Sequence, residues 1–170
     1  MQVHIRKARV IDPGSRYHDK VTDMLIEDGV IVQIGTSVKG KADVVIEEEG
    51  LCVSPGWVDV FADYREPGYE HKETIASGLA CASAGGFTDV LVGPNTLPAL
   101  STKSNIQFVL QKAAGNIVRL HPMGAATQHT DGKDLAEMLD MRANGAIAFG
   151  DGWKPVQNTG LMWKGLEYVK

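Results

Sequence analysis

Cysteine is scarce. Cys52 and Cys81 are the only two in 170 residues, too few for a disulfide framework and not spaced as a zinc clip. Both adjoin apolar runs and are expected to be buried thiols. No apolar run approaches the roughly 18 residues that a membrane span requires. The segment Met1–Lys7 also lacks the long apolar stretch of a secretory signal. Positive charge is not in surplus either. Lys and Arg number 17 against 21 Asp and Glu, for a net charge of −4, which argues against binding nucleic acid by neutralising phosphates. With 44% hydrophobic residues, the chain is not disordered as a whole. These absences leave a globular, cytoplasmic chain whose partners are neither nucleic acid nor membrane.

What is present changes character near residue 53. Before it, Val3 to Ile11, Met24 to Glu27, Val30 to Gln33 and Ala42 to Ile46 read as short strands. Asp28-Gly29 between two apolar runs is a hairpin signal, because both turn residues need positive φ. Residues 1–52 are therefore expected to form a small β segment, part of a composite β-sandwich. From residue 53, strand-like cores begin near Trp57, Thr88, Ile117 and Ala146, at the spacing of about 30 residues typical of βα units.

The intervening stretches carry helical periodicity. Ile75, Leu79 and Ala82 share one face before Gly85-Gly86, and Ile106, Val109, Leu110 and Ala113 repeat before Gly115. Leu135, Met138 and Leu139 form a third set before Gly145, and Thr159 is placed to cap a fourth helix. The fold class is thus α/β. Residues 53–170 read as four βα units, the first half of a (β/α)8 TIM-type barrel. A four-stranded open sheet is the competing architecture.

The chemistry concentrates after the first of these strands. Ser54-Pro55-Gly56-Trp57-Val58-Asp59-Val60 leads into Phe61-Ala62-Asp63-Tyr64-Arg65-Glu66-Pro67-Gly68. Lys72-Glu73-Thr74, Ala84-Gly85-Gly86-Phe87-Thr88, Pro94-Asn95-Thr96 and Gly150-Asp151-Gly152 follow in order. In these stretches the sequence resembles the dihydroorotases of the amidohydrolase superfamily. The resemblance implies a cyclic amide hydrolase of pyrimidine biosynthesis that uses zinc. In that family the first barrel strand ends His-x-His, and here those positions are Phe61 and Asp63. Asp151 matches the metal-bridging carboxylate of strand four, and Asp63 is a non-standard oxygen donor beside it. The family's other metal ligands and its general base belong to strands beyond Lys170.

Without zinc, nothing lowers the pKa of the attacking water from 15.7 towards about 7. The resemblance therefore points to a catalytically inactive dihydroorotase-like protein with no cofactor expected in this chain. The alternative is an active dihydroorotase whose non-standard metal site is completed by further residues. Arg65 and Asn95 match the family's substrate-binding residues for the dihydroorotate carboxylate. A guanidinium suits that task because its fork meets a carboxylate bidentately. Pairing of Arg65 with Glu66 or Glu70 is the competing role. His121, before Pro122, is placed at the active-site rim, and the run Glu47-Glu48-Glu49 reads as a solvated turn. The open edges of a half-barrel predict either a longer protein or association as a homo-oligomer, and the resemblance suggests aspartate carbamoyltransferase as a candidate partner.

Overall fold

The computed structural model describes residues 1–170. The chain divides into two compact units, Met1–Pro55 and Gly56–Lys170.

The first unit is one mixed sheet rather than two layers. Its strands are β1 (Gln2–Val10), β2 (Val21–Glu27), β3 (Val30–Gly35), β4 (Val44–Ile46) and β5 (Cys52–Val53). The order is β3-β2-β1-β4, with β5 also pairing β1. The β2–β3 turn follows from its two residues, Asp28 at φ 47° and Gly29 at φ 83°, the left-handed pair that matches strand twist. Strand β1 is central, antiparallel to β2 and parallel to β4 and β5. Ala8, Val10, Met24 and Leu25 are buried. Cys52 is exposed, contrary to expectation, since it lies on a two-residue strand paired only with β1. Glu47 is ion-paired with Lys7 and Arg6 at the surface.

The second unit holds a four-stranded parallel sheet in chain order: β6 (Trp57–Ala62), β7 (Phe87–Val92), β8 (Arg119–Gly124) and β9 (Ala148–Phe149). Four helices accompany it: α1 (Ile75–Ala84), α2 (Lys103–Ala113), α3 (Met138–Ala143) and α4 (Thr159–Tyr168). This is the half-barrel that the spacing predicts. Thr74 starts α1 with a capping box closed by Ser77, which satisfies donors the first turn would leave free. Ile75, Leu79 and Ala82 then face inward, and on α2 Ile106 and Val109 do the same. They pack with Val90, Val92, Val118 and Leu120 in one apolar core on the helix side of the sheet.

Three local expectations need correction. Cys81 is exposed, because it lies outside the arc of α1 that Ile75, Gly78, Leu79 and Ala82 turn inward. The third helix is only six residues long and buries Met138 and Met141, while Leu139 is exposed. Leu135 is instead drawn into a bridge with Thr127. The cap of α4 is Asn158, whose side chain accepts from the Leu161 N–H, with Thr159 the first helical residue.

Candidate functional site

Strand β6 has one residue more than its partner between the pairs Asp59–Val90 and Ala62–Val92. Such a bulge bends a strand and re-aims its side chains. Here it takes in Phe61 and precedes Asp63, the two residues where the resemblance leads one to expect imidazoles. Phe61 packs edge-to-face with Trp153, ring centroids 5.3 Å apart at 89°. It also lies so close to Gly93 that a Cβ there would come within 2.9 Å of the ring. Asp63 Oδ2 accepts from the Trp153 indole N–H at 2.9 Å and pairs with Arg65 at 2.6 Å.

Arg65 therefore pairs with neither Glu66 nor Glu70. Glu66 is buried and faces the other way, accepting from the Ile75 N–H at 2.8 Å and meeting Lys112 at 3.1 Å. A carboxylate at the start of α1 is favoured by the unpaired N–H groups there. Glu70 is taken by the Gly68 N–H at 2.8 Å. The Arg65 guanidinium also donates to the Asn95 carbonyl at 3.4 Å.

Asn95 is the strut between the loops after β7 and β9. Its Nδ2 donates to the Asp151 carbonyl at 3.2 Å, and its Oδ1 accepts from the Trp153 N–H at 3.2 Å. Gly152 between them has φ 62°, and a Cβ there would fall 1.9 Å from Asn95 Oδ1. Only glycine permits both the conformation and the approach. Asp151 is buried, and each carboxylate oxygen is used by Thr127. Oδ1 accepts from the Thr127 N–H at 2.9 Å and Oδ2 from its hydroxyl at 2.5 Å.

An open cleft of about 650 Å³ lies over these residues. Arg65, Asn95, Trp153 and Lys154 form one part of its lining, and His129 and Thr130 another. The Lys154 ammonium donates to the Thr130 hydroxyl at 3.3 Å. In this unit the non-glycine residues with left-handed φ are Arg65 at 62°, His129 at 55° and Thr130 at 52°. All three line the cleft. Backbone held in that region costs about 1–3 kcal/mol per residue and gathers at binding sites.

His121 is not at the rim. It pairs with Leu91 within the sheet, and its Nε2 lies 2.8 Å from Asp89 Oδ1. Arg119 reaches Asp89 Oδ2, also at 2.8 Å. The Arg119 hydrogen bond, followed by that of His121, holds the Asp89 carboxyl well below the usual carboxylate range.

The sequence motifs thus bring Phe61, Asp63, Arg65, Asn95 and Asp151 to one end of the sheet, joined by a network that Trp153 completes. Trp153, Lys154 and Thr127 were not singled out as site residues from the sequence. The available signal was an aromatic and a cation directly after Asp151, in the loop following a barrel strand, where barrel enzymes place their sites.

A parallel half-barrel whose candidate site lies at the carboxyl ends of its strands defines the second unit as part of a TIM-type barrel. The family profile described as "Dihydro-orotase-like" matches residues 50–169, and the chain belongs to that family. A dihydroorotase of Geotalea daltonii is 41% identical over the whole chain, and one of Geobacter sulfurreducens is 40% identical. The chain spans 40% of the length of each. Among solved structures, an L-hydantoinase (dihydropyrimidinase) from Arthrobacter aurescens shares the fold with TM-score 0.76 and 19% identity, covering 98% of this chain and 38% of its own. A crystal structure of a dihydroorotase gives TM-score 0.66 at 14% identity, covering 99% of this chain and 48% of its own.

Of the zinc ligands that the family implies, Asp63 and Asp151 are the only candidates the resemblance places in this chain. Zinc takes four nitrogen, sulfur or oxygen donors, and no three His, Cys, Asp or Glu residues gather here. Phe61 offers no donor, and each oxygen of Asp151 accepts one hydrogen bond from Thr127. Asp63 Oδ1 is buried without a partner, a single free oxygen in the network.

Proposed function

We propose that this chain is a dihydroorotase homologue that binds a small carboxylate of the dihydroorotate class and does not hydrolyse it. The observation that carries this reading is the Phe61–Trp153–Asp63–Arg65 cluster. It places an aromatic contact and an ion pair where the family's catalysis needs imidazole and metal. Arg65 and Asn95 are the proposed ligand contacts. The guanidinium has five N–H donors and Asn95 Nδ2 has two, so each keeps donors beyond those used within the protein. Lys154 adds a second positive charge to the cleft.

The test is calorimetric titration of the chain with dihydroorotate. Binding is expected, and Arg65→Ala should weaken it by about 1.5–3 kcal/mol, the range for a hydrogen bond to a charged group. Absence of binding in the parent chain would leave Arg65 a purely structural partner of Asp63. Phe61→His with Asp63→His should not create ring-opening activity, because the family's two further metal ligands and its general base are not among residues 1–170. Turnover above a metal-only control would overturn that.

An active enzyme with a non-standard metal site is the second reading, favoured by the unpartnered Asp63 Oδ1. Elemental analysis decides, since zinc retained after dialysis and lost in Asp63→Asn would establish it. A non-catalytic role would act through association. Strands β6 and β9 end the sheet, and Val58, Val60 and Ile147 are exposed. A second copy of this chain is the partner we propose there, with aspartate carbamoyltransferase the heteromeric candidate. Light scattering should show more than a monomer.

A further inference from the structure

Trp153 is anchored at three points and still 65% exposed. Its ring N–H is fixed on Asp63, its main-chain N–H on Asn95 Oδ1, and its ring against Phe61. A perpendicular aromatic pair, here at 89°, occupies at most one indole face. At least one face therefore remains for the cleft that Trp153 lines with Arg65 and Lys154. Because the ring is already held, stacking on it costs little further ordering.

We infer that Trp153 makes this cleft selective for a planar, fully conjugated heterocycle bearing a carboxylate, against puckered or open-chain carboxylates of the same kind. The inference rests on the carboxylate reading of the same cleft and adds the shape of the ligand. Two flat π faces can meet in an offset stack over their full area. A ring with tetrahedral carbons projects hydrogens from its plane and stands off the indole. Arg65 and Lys154 bring positive charge to the cleft that holds the ring, which couples a stacked ring to an in-plane anion. The left-handed backbone at Arg65, His129 and Thr130 is the strain expected of a site built for a ligand.

The test is calorimetric titration of the 170-residue chain with three probes: orotate, which is planar; dihydroorotate, with two tetrahedral ring carbons; and carbamoyl aspartate, which is open. Orotate is expected to bind about tenfold tighter than dihydroorotate, the scale of one aromatic stack. Trp153→Leu should bring the two affinities to within about threefold of each other by removing that stack. Trp153→Phe, which keeps a ring without the indole N–H, should retain the preference. Should Trp153→Leu fail to fold, the parent ratio and Trp153→Phe still decide. Equal affinity for orotate and dihydroorotate in the parent, or a preference that survives Trp153→Leu, overturns the inference.

The two failures separate. Equal binding of the rings, weakened by Arg65→Ala, removes the planar preference and leaves the carboxylate site standing. Orotate binding indifferent to Arg65→Ala but lost in Trp153→Leu removes the Arg65 contact and keeps the aromatic platform. No binding of any probe overturns both.

Discussion

The two faces of the parallel sheet are built on different principles. On the helix side, Val90, Val92 and Leu120 are buried among Ile75, Leu79, Ile106 and Val109, and area removed from water holds the layer together. On the opposite face and at the carboxyl ends of the strands, the organising contacts are individual bonds: Asp89 with Arg119 and His121, Asp63 with Arg65 and Trp153, Asp151 with Thr127. The first face tolerates exchange among apolar residues of like volume, because burial is non-directional. The second does not, since each polar group there depends on specific, directional partners. Stability and ligand recognition are therefore separable by mutation.

The largest effect is expected on the helix side. Ile106→Ala, at a fully buried position, should cost about 2–5 kcal/mol in urea unfolding through lost burial and the cavity left behind. Affinity for a carboxylate, corrected for the folded fraction, should not change. A specific loss of binding in that variant would break the separation.

Thr127→Val sharpens the comparison from the other side. It keeps shape but strips the hydroxyl from Asp151 Oδ2, at about 1.5–3 kcal/mol for a buried hydrogen bond to a charged group. An unchanged urea midpoint would mean that Asp151 is satisfied otherwise. Gly152→Ala should cost about 1–3 kcal/mol of backbone strain. It should also displace Asn95 and Trp153, so binding weakens beyond the stability loss.

The smallest effect expected is pH dependence. The folded-state pKa of Asp89 is depressed, with Arg119 as the main cause and His121 next. Its contribution to stability is complete above the unfolded value of about 4 and is lost as pH falls through the folded value. Asp89→Asn should therefore flatten the acid side of the stability profile below about pH 4 without altering the alkaline side. There burial raises the Tyr64 phenol to about 12, so stability should fall as pH rises above about 10. Tyr64→Phe should remove that alkaline component alone.

Much of the architecture was legible locally. The β2–β3 turn is dictated by Asp28-Gly29, and the inward faces of α1 and α2 follow from apolar residues three and four apart. The third helix starts later than its periodicity predicts because Leu135, which fits the period, is claimed by its bridge to Thr127. Both cysteines are exposed against expectation because an apolar neighbourhood along the chain does not specify which residues lie over a side chain in space. His121 was placed one layer too high because strand ends are not marked by period-2 alternation.

The sequence by itself determined the order of strands and helices, the family, and the presence of Phe61 and Asp63 at the end of the first parallel strand. These depend on residue identity and near-neighbour spacing. Only the tertiary structure decided that Trp153 would meet Phe61 and Asp63, 90 residues away from the latter, and that Arg65 would choose Asp63 over Glu66 and Glu70. Such contacts are fixed by the register of parallel strands, by the bulge in β6, and by left-handed backbone at Arg65 and Gly152. A one-residue slip exchanges the faces of a strand, so no local pattern specifies them until the sheet has closed its hydrogen bonds.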